Sequence, residues 1–188
     1  IDYGMGNLHS VSKAFECVAP AASIIVTSDP NEVRKATRVV FPGQGAMPHC
    51  MKEMDALGLR GAILESAKKK PFLGICIGLQ MLFDNSEEGD VAGLGILPGL
   101  VRRFPDVSMI DAGGQKLKVP HMGWNQVKQS GDHPIWKGIA KDERFYFVHS
   151  YFVDSVDQNQ VAAKSVYSFP FTCAIVKDNI FAVQFHPE

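Results

Sequence analysis

Residues 74–78 read Gly74-Ile75-Cys76-Ile77-Gly78, and the chain closes on Gln184-Phe185-His186-Pro187-Glu188. The first stretch has the glycine-x-nucleophile-x-glycine form, in which glycines let a strand turn sharply into a helix and lift the central side chain above the sheet. A helix starting directly after Cys76 would add free N–H groups and dipole charge that favour a thiolate. The alternative is a buried structural thiol, since cysteine is among the most buried residue types. A nucleophilic thiol needs a base, and His186 is the candidate. If extended geometry persists through Pro187, Glu188 falls on the same side as His186, where its carboxylate can fix the imidazole tautomer and stabilise the imidazolium. Against this, a lone histidine near a strand end is more often a surface or capping residue.

Strands must bring these pieces together. Period-2 alternation along Ile180 to His186 puts Phe181, Val183 and Phe185 on one face, towards the core, and Ile180, Ala182, Gln184 and His186 on the other. Phe72 to Ile75 reads as the strand feeding the cysteine turn. A third piece, Pro42-Gly43-Gln44-Gly45, follows the β-branched run Arg38 to Phe41, and two glycines at the carboxyl end of a parallel strand can turn and offer an N–H to an anionic oxygen. Taken alone, that stretch reads better as an ordinary turn. In the first half, short apolar runs (Ile1 to Tyr3, Ser23 to Thr27, Arg38 to Phe41) alternate with helical patterns, Leu8-Val11-Phe15-Val18 on one face and Leu57 to Lys69, which argues for βαβ units and a parallel sheet. After Asn85 glycines and prolines punctuate short strands, Leu100 to Phe104 and Leu117 to Val119. The end is strand-rich: 145–153, 160–167, 171–177 and 180–186, with Asp178-Asn179 as a hairpin turn. The expectation is a single α/β domain over residues 1–188, an open, mostly parallel twisted sheet flanked by helices and carrying a strand-rich antiparallel extension.

Composition narrows the function classes. With 188 residues, 46% of them hydrophobic, one sizeable core can form without staples. The 19 Lys+Arg and 20 Asp+Glu leave a net charge of -1, no surplus for nucleic acid or an acidic membrane. The run Lys68-Lys69-Lys70 suits a helix C-terminus. No apolar run approaches the roughly 20 residues that span a bilayer, nor does the start look like a secretion signal. The four cysteines (Cys17, Cys50, Cys76, Cys173) form no C-x-x-C, so no metal site or disulfide framework is expected, and a reducing cytoplasm fits best. His9, His49, His133 and the other cysteines read as structural or surface residues. The chain starts at Ile1 and stops at Glu188 directly after an apolar strand, so its natural ends are expected to lie beyond these residues.

PGQG, GICIGLQMLF and QFHPE, in that order and each at a strand end, together resemble the class I glutamine amidotransferase family over essentially the whole chain. DYGMGNLHS (2–10), PHMGWNQV (120–127) and FYFVHSY (145–151) are similar to the glutaminase-subunit branch that serves imidazole glycerol phosphate synthase. The resemblance implies a flavodoxin-like amidotransferase fold and no cofactor. It implies glutamine hydrolysis through a cysteine thioester, with Cys76, His186 and Glu188 as the triad and backbone N–H groups at Gly43, Gln44 and Ile77 as the oxyanion site. Gln80 and Glu88 would contact glutamine, and His149, Ser150 and Tyr151 would line its pocket. The ammonia would pass to a (β/α)8-barrel cyclase subunit in a heterodimer, with Asn7, Met122, Trp124 and Asn125 facing it. Trp124 has the alternative of a half-buried core aromatic. The vitamin B6 and anthranilate amidotransferases share the triad, but DYGMGN and HMGWN argue against them. In an α/β-hydrolase-like thiol esterase the acid would precede the histidine. A partner-binding scaffold without activity is set against by the intact triad.

Overall fold

The computed structural model describes residues 1–105, 109–111, 113–155 and 157–188, with Ser155 described by its backbone alone. Three parallel strands form one end of its main sheet: β1 (Val39–Gly43), β2 (Phe72–Cys76) and β12 (Ile180–Val183), in the order β1-β2-β12. The sheet continues antiparallel through β11 (Phe169–Lys177), β9 (Tyr151–Ser155) and β5 (Leu97–Arg103). It ends with β3 (Phe83–Ser86), parallel to β5, and β4 (Val91–Ala92). β10 (Val161–Tyr167) pairs with β11 and with β7 (Lys128–Gln129). A separate ribbon joins β6 (His121–Gln126) antiparallel to β8 (Arg144–His149). The α/β expectation of a sheet flanked by helices with an antiparallel extension holds, but the sheet is mixed rather than mostly parallel, its parallel pairs being β1–β2, β2–β12 and β3–β5.

The helices are α1 (Leu8–Val18), α2 (Pro30–Lys35), α3 (Met47–Ala56), α4 (Arg60–Lys69) and the single turn α5 (Ile77–Gln80). α2 and α3 have no counterpart in the sequence reading. The helix expected over Leu57 to Lys69 starts three residues late, because Leu57-Gly58 closes α3 and Gly58 sits at φ +66°. Among the helices, α3 buries Met47, Cys50, Met51 and Met54, and α4 buries Ala62, Ile63, Ser66 and Ala67. The lysine run does end α4, where Lys69 pairs with Glu65 and Lys70 donates to the Val33 and Arg34 carbonyls.

Three expected strands do not form. Ser23 to Thr27 is irregular, with Ile25 63% and Val26 48% exposed. Ile1 to Tyr3 makes isolated bonds, Ile1 N to Val40 O and Asp2 N to Thr27 O, rather than a ladder. Leu117 to Val119 follows an isolated Ile110–Lys116 bridge. In each, β-branched residues are present but an aligned neighbour is not, and strand preference expresses packing against such a neighbour. The run 145–153 divides at Ser150, its halves entering the ribbon as β8 and the main sheet as β9. Asp178-Asn179 makes the expected hairpin, with Lys177 opposite Ile180. The alternation along β12 is hidden because the strand is central: Ile180 to Val183 are all buried, as expected of a strand covered on both faces.

Candidate active site

The three sequence stretches meet because their strands are neighbours. β1 and β2 run parallel with Gly43 opposite Cys76, and β12 lies on the other flank of β2 with Val183 opposite Ile75. All three therefore deliver their following residues to one carboxyl edge, the place where open α/β sheets bind ligands.

Cys76 sits there at φ 55°, ψ −112°, a strained conformation for any residue with a Cβ. The turn is compressed against β1. A Cβ on Gly78 would stand 1.8 Å from the Phe41 carbonyl oxygen, and one on Gly43 would stand 2.2 Å from the Tyr3 hydroxyl and 3.3 Å from Gly78 N. Only glycine fits at either point. α5 is one turn long, so a macrodipole contributes little to Cys76; what the turn supplies is its first unpaired N–H groups. The thiol is 5% exposed and accepts from Gln184 Nε2 at 3.7 Å.

His186 emerges from β12 with its backbone N–H on Tyr146 O at 2.9 Å, and its Nδ1 lies 3.1 Å from Glu188 Oε1. The imidazole is held up at about 10, first by the Cys76 thiol and then by Glu188, against the opposing effect of burial. Nε2 is buried without a hydrogen bond of full geometry, although its hydrogen-bonding approach to the Cys76 thiol is the largest cause that raises the imidazole. Such bonds often close only when substrate is present. For Glu188 burial pushes upward, but bonds from His186 and from its own backbone N–H win and hold the carboxyl below its usual range. The arrangement can hold a thiolate beside an imidazolium, with a carboxylate behind.

Other expected residues fall into four groups. Gly43 and Ile77 lie against each other beside the thiol, with Gln44 following; the Gln44 carbonyl accepts from Cys50 Sγ at 3.5 Å. Gln80 is 1% exposed and gives its amide to Gln184 Oε1 at 2.9 Å and Tyr151 O at 3.3 Å. The same Tyr151 carbonyl takes His149 Nδ1 at 2.7 Å, and Ser150 O accepts from Phe104 N. Glu88 bonds Met47 N at 2.8 Å, capping α3 where Ala46 cannot, and Asn7 caps α1 through Ser10 N. On the ribbon Met122 is 61% and Trp124 67% exposed, which excludes a core role for that tryptophan. Asn125 turns inward to His121 and the Val166 carbonyl.

The sequence reading gave no role to Tyr3, His121 or Gln184. Tyr3 is fully buried and donates to Pro42 O at 2.8 Å, bracing the loop after β1. Gln184 shared a strand face with His186, and that alternation was the signal. His49 is a surface residue 3.8 Å from Glu53, and His133 is structural, accepting from Ile135 N and packing on Phe181. The four cysteines are all unpaired, and burial lifts the Cys50 thiol to about 11. Among the described residues no helix is long and apolar enough to cross a membrane.

The chain resembles known proteins over its whole length. The family model for class-I glutamine amidotransferases matches residues 1–188. The imidazole glycerol phosphate synthase subunit HisH of Nitrosospira multiformis is 68% identical over 188 residues, 100% of this chain and 88% of that one. Its counterpart from Thiobacillus denitrificans is 63% identical over 100% of this chain and 82% of its own. Among solved structures, a glutamine amidotransferase superposes at TM-score 0.71 with 14% identity, covering 97% of this chain and 86% of that one. Another, from Thermotoga maritima, gives 0.60 at 18% identity over 99% and 72%. At such identities these two speak for the fold.

Proposed function

The chain belongs to the class-I glutamine amidotransferase family, and on that premise we propose that it is the glutaminase subunit of an imidazole glycerol phosphate synthase. The observation that carries the reading is a strained thiol at the end of β2 beside the His186–Glu188 pair at the end of β12. Cys76 Sγ, as thiolate, attacks the carboxamide carbon of glutamine, forming the C–S bond as the carbonyl pair moves onto oxygen. Backbone N–H groups around Gly43–Gln44 and at Ile77 are the proposed donors to that oxyanion. His186, as imidazolium, gives its proton to the amide nitrogen, which departs as ammonia when the carbonyl re-forms. Water then attacks the thioester, passing a proton to the now neutral His186, and collapse releases glutamate and the thiolate. Glu188 keeps Nδ1 occupied so that Nε2 faces the sulfur.

Glutamine would lie on the open side of the thiol, near Glu88 and the Ser150–Tyr151 main chain, with the buried Gln80 and His149 behind that surface. The ammonia is consumed by a (β/α)8-barrel cyclase subunit, which forms imidazole glycerol phosphate in histidine biosynthesis. That partner docks in a heterodimer on the face of β6 carrying Met122 and Trp124, with Asn125 and Asn7 at its margin. One amidotransferase domain over residues 1–188, working in the cytoplasm without a cofactor, completes the reading. The test is co-purification with the cyclase barrel and measurement of glutamate release with and without its nucleotide substrate. Release stimulated by that substrate, and abolished in Cys76→Ala while the complex persists, is expected. Release that survives Cys76→Ala removes the nucleophile; a chain that binds no barrel removes the subunit assignment.

A further inference from the structure

Behind the thiol lies a row of buried polar side chains for which the reaction above has no use. Gln80, His121, His149 and Gln184 are 1%, 3%, 5% and 0% exposed. Burying four such groups is costly unless each finds a partner. Their partners are largely one another, set among the rings of Phe104, Phe147, Tyr167 and Phe171.

Two main-chain carbonyls, which can only accept, dictate the direction of every bond in the row. Tyr151 O takes His149 Nδ1 at 2.7 Å, so that nitrogen carries the proton and, in the neutral ring, Nε2 is a lone pair. His121 Nδ1, 2.9 Å away, must then donate, which leaves His121 Nε2 to accept from Asn125 Nδ2 at 3.2 Å. Asn125 shows its NH2 on that side because the same group bonds Val166 O at 2.8 Å. Towards the thiol, Gln80 presents its NH2 to Tyr151 O, and therefore also to Gln184 Oε1 at 2.9 Å. Gln184 is thereby turned with its own NH2 on Cys76 Sγ, at 3.7 Å. Burial keeps both rings neutral, His149 at about 3 and His121 at about 4. Gln80 Oε1 is left buried without a partner, a strain consistent with an orientation imposed by the carbonyls rather than chosen by Gln80.

We propose that Gln184 is a further functional residue, an amide donor that favours the thiolate of Cys76. We infer that the row Asn125–His121–His149–Tyr151 carbonyl–Gln80 holds this amide in its donating orientation and ties it to the edge of β6. An N–H on sulfur stabilises the charged form, whereas the flipped amide would set an oxygen lone pair against it. The inference rests on Cys76 being the nucleophile. It deepens that reading by giving the partner-facing ribbon a physical connection to the thiol.

The test needs neither glutamine nor a partner. First, nitrogen-15 histidine spectra of the unaltered chain near pH 7 should show His121 and His149 as neutral Nδ1–H tautomers; an Nε2–H tautomer or imidazolium at either overturns the row. Second, alkylation of Cys76 by iodoacetamide, followed by peptide mass spectrometry across pH, reports its thiolate, with exposed Cys17 as internal control. His186, with Glu188 behind it, and Tyr3 and Cys50 also act on Cys76 electrostatically, and none is altered in the variants. Gln184→Leu should move the midpoint upward, so that alkylation at a fixed lower pH slows roughly three- to tenfold. Gln184→Glu, nearly the same shape, should move it further. Unshifted profiles in folded variants overturn the role of Gln184 even if the glutaminase reading stands. A shifted profile in a chain with no glutaminase activity keeps it and sinks the activity instead.

Discussion

His186 Nδ1 and Glu188 Oε1 lie 3.1 Å apart across a single proline, and the side chains retain only 19% and 9% of their exposure. The proline is what makes the pair possible. Its ring restricts the backbone between two residues whose side chains meet, so the carboxylate and the imidazole come from one chain end rather than from separate elements. The carboxylate occupies Nδ1, which leaves the buried Nε2 for the exchange with sulfur proposed above.

Replacing Glu188 by Gln therefore tests orientation rather than bulk. The amide keeps the shape but loses the charge and can present NH2 to Nδ1, forcing the wrong tautomer. Turnover of glutamine by the complex should fall on the order of 100-fold or more, with KM little changed. A fall confined to KM would place Glu188 in glutamine binding instead.

The raised imidazole makes a prediction with a definite sign. His186 is lifted from 6.5 to about 10 in the folded chain, the thiol being the first cause and Glu188 the second. A group with a raised folded value stabilises fully below its unfolded value and ceases to do so as pH rises through the folded one, so this contribution fades between 6.5 and about 10. Glu188, held low, acts oppositely, contributing above the ordinary carboxylate range and losing its effect on acidification through its lowered value. Nitrogen-15 titration of His186 should show a marked downward move in Cys76→Ala and a lesser one in Glu188→Gln. An unmoved titration in Cys76→Ala would contradict the thiolate–imidazolium pairing.

Strain at the nucleophile is measurable on its own. A residue with a Cβ at φ 55°, ψ −112° carries on the order of 1–3 kcal/mol that glycine does not. Gly gives back about 0.5–1 kcal/mol in chain entropy. Cys76→Gly should thus unfold at a higher temperature than Cys76→Ala, both being inactive. The reverse order would show that the turn is relaxed.

What was legible in the sequence follows physical rules. β1, β2 and β12 stood out because buried parallel strands are continuous apolar runs, and each leads into the residues for which the chemistry is proposed. Ser23 to Thr27 has the same composition, yet no strand lies alongside, and nothing local reveals that. α3 escaped notice because its buried face is Met47, Cys50, Met51 and Met54 behind Gly45 and Pro48, a composition that reads as a loop. Glu88 and Asn7 also cap helices, a second use that their spacing in the sequence did not announce. The His121–His149 bond joins residues 28 apart on opposite strands of the ribbon, and no spacing rule announces it.

The close approach of Tyr3 to Gly43 predicts a compensating pair. Gly43→Ala alone would drive a methyl into the Tyr3 hydroxyl, with its ideal Cβ only 2.2 Å away. A cost of several kcal/mol and damage to the loop after β1 should follow. Tyr3→Phe removes that oxygen at a cost of about 1 kcal/mol for the bond to Pro42 O. The double variant should therefore be more stable than Gly43→Ala, with denaturant midpoints showing strong coupling. Simple additivity would mean that the clash is relieved elsewhere, against Ile77, whose Cβ would lie 3.0 Å away.

Trp124 tests the docking face, because its exposure separates folding from association. At 67% exposed, with Tyr146 as an edge-on neighbour at 6.0 Å, it contributes little to the core. Trp124→Ala should leave thermal unfolding within a few degrees of the unaltered chain. Met122 and Val148, 61% and 36% exposed, are paired across the same ribbon and extend the apolar surface around it. An aromatic anchor at such a centre is worth about 2 kcal/mol or more on truncation, roughly a 30-fold loss of affinity for the cyclase barrel by titration calorimetry. Unchanged affinity would move the interface off this ribbon, and a large loss of thermal stability would make Trp124 a structural residue after all.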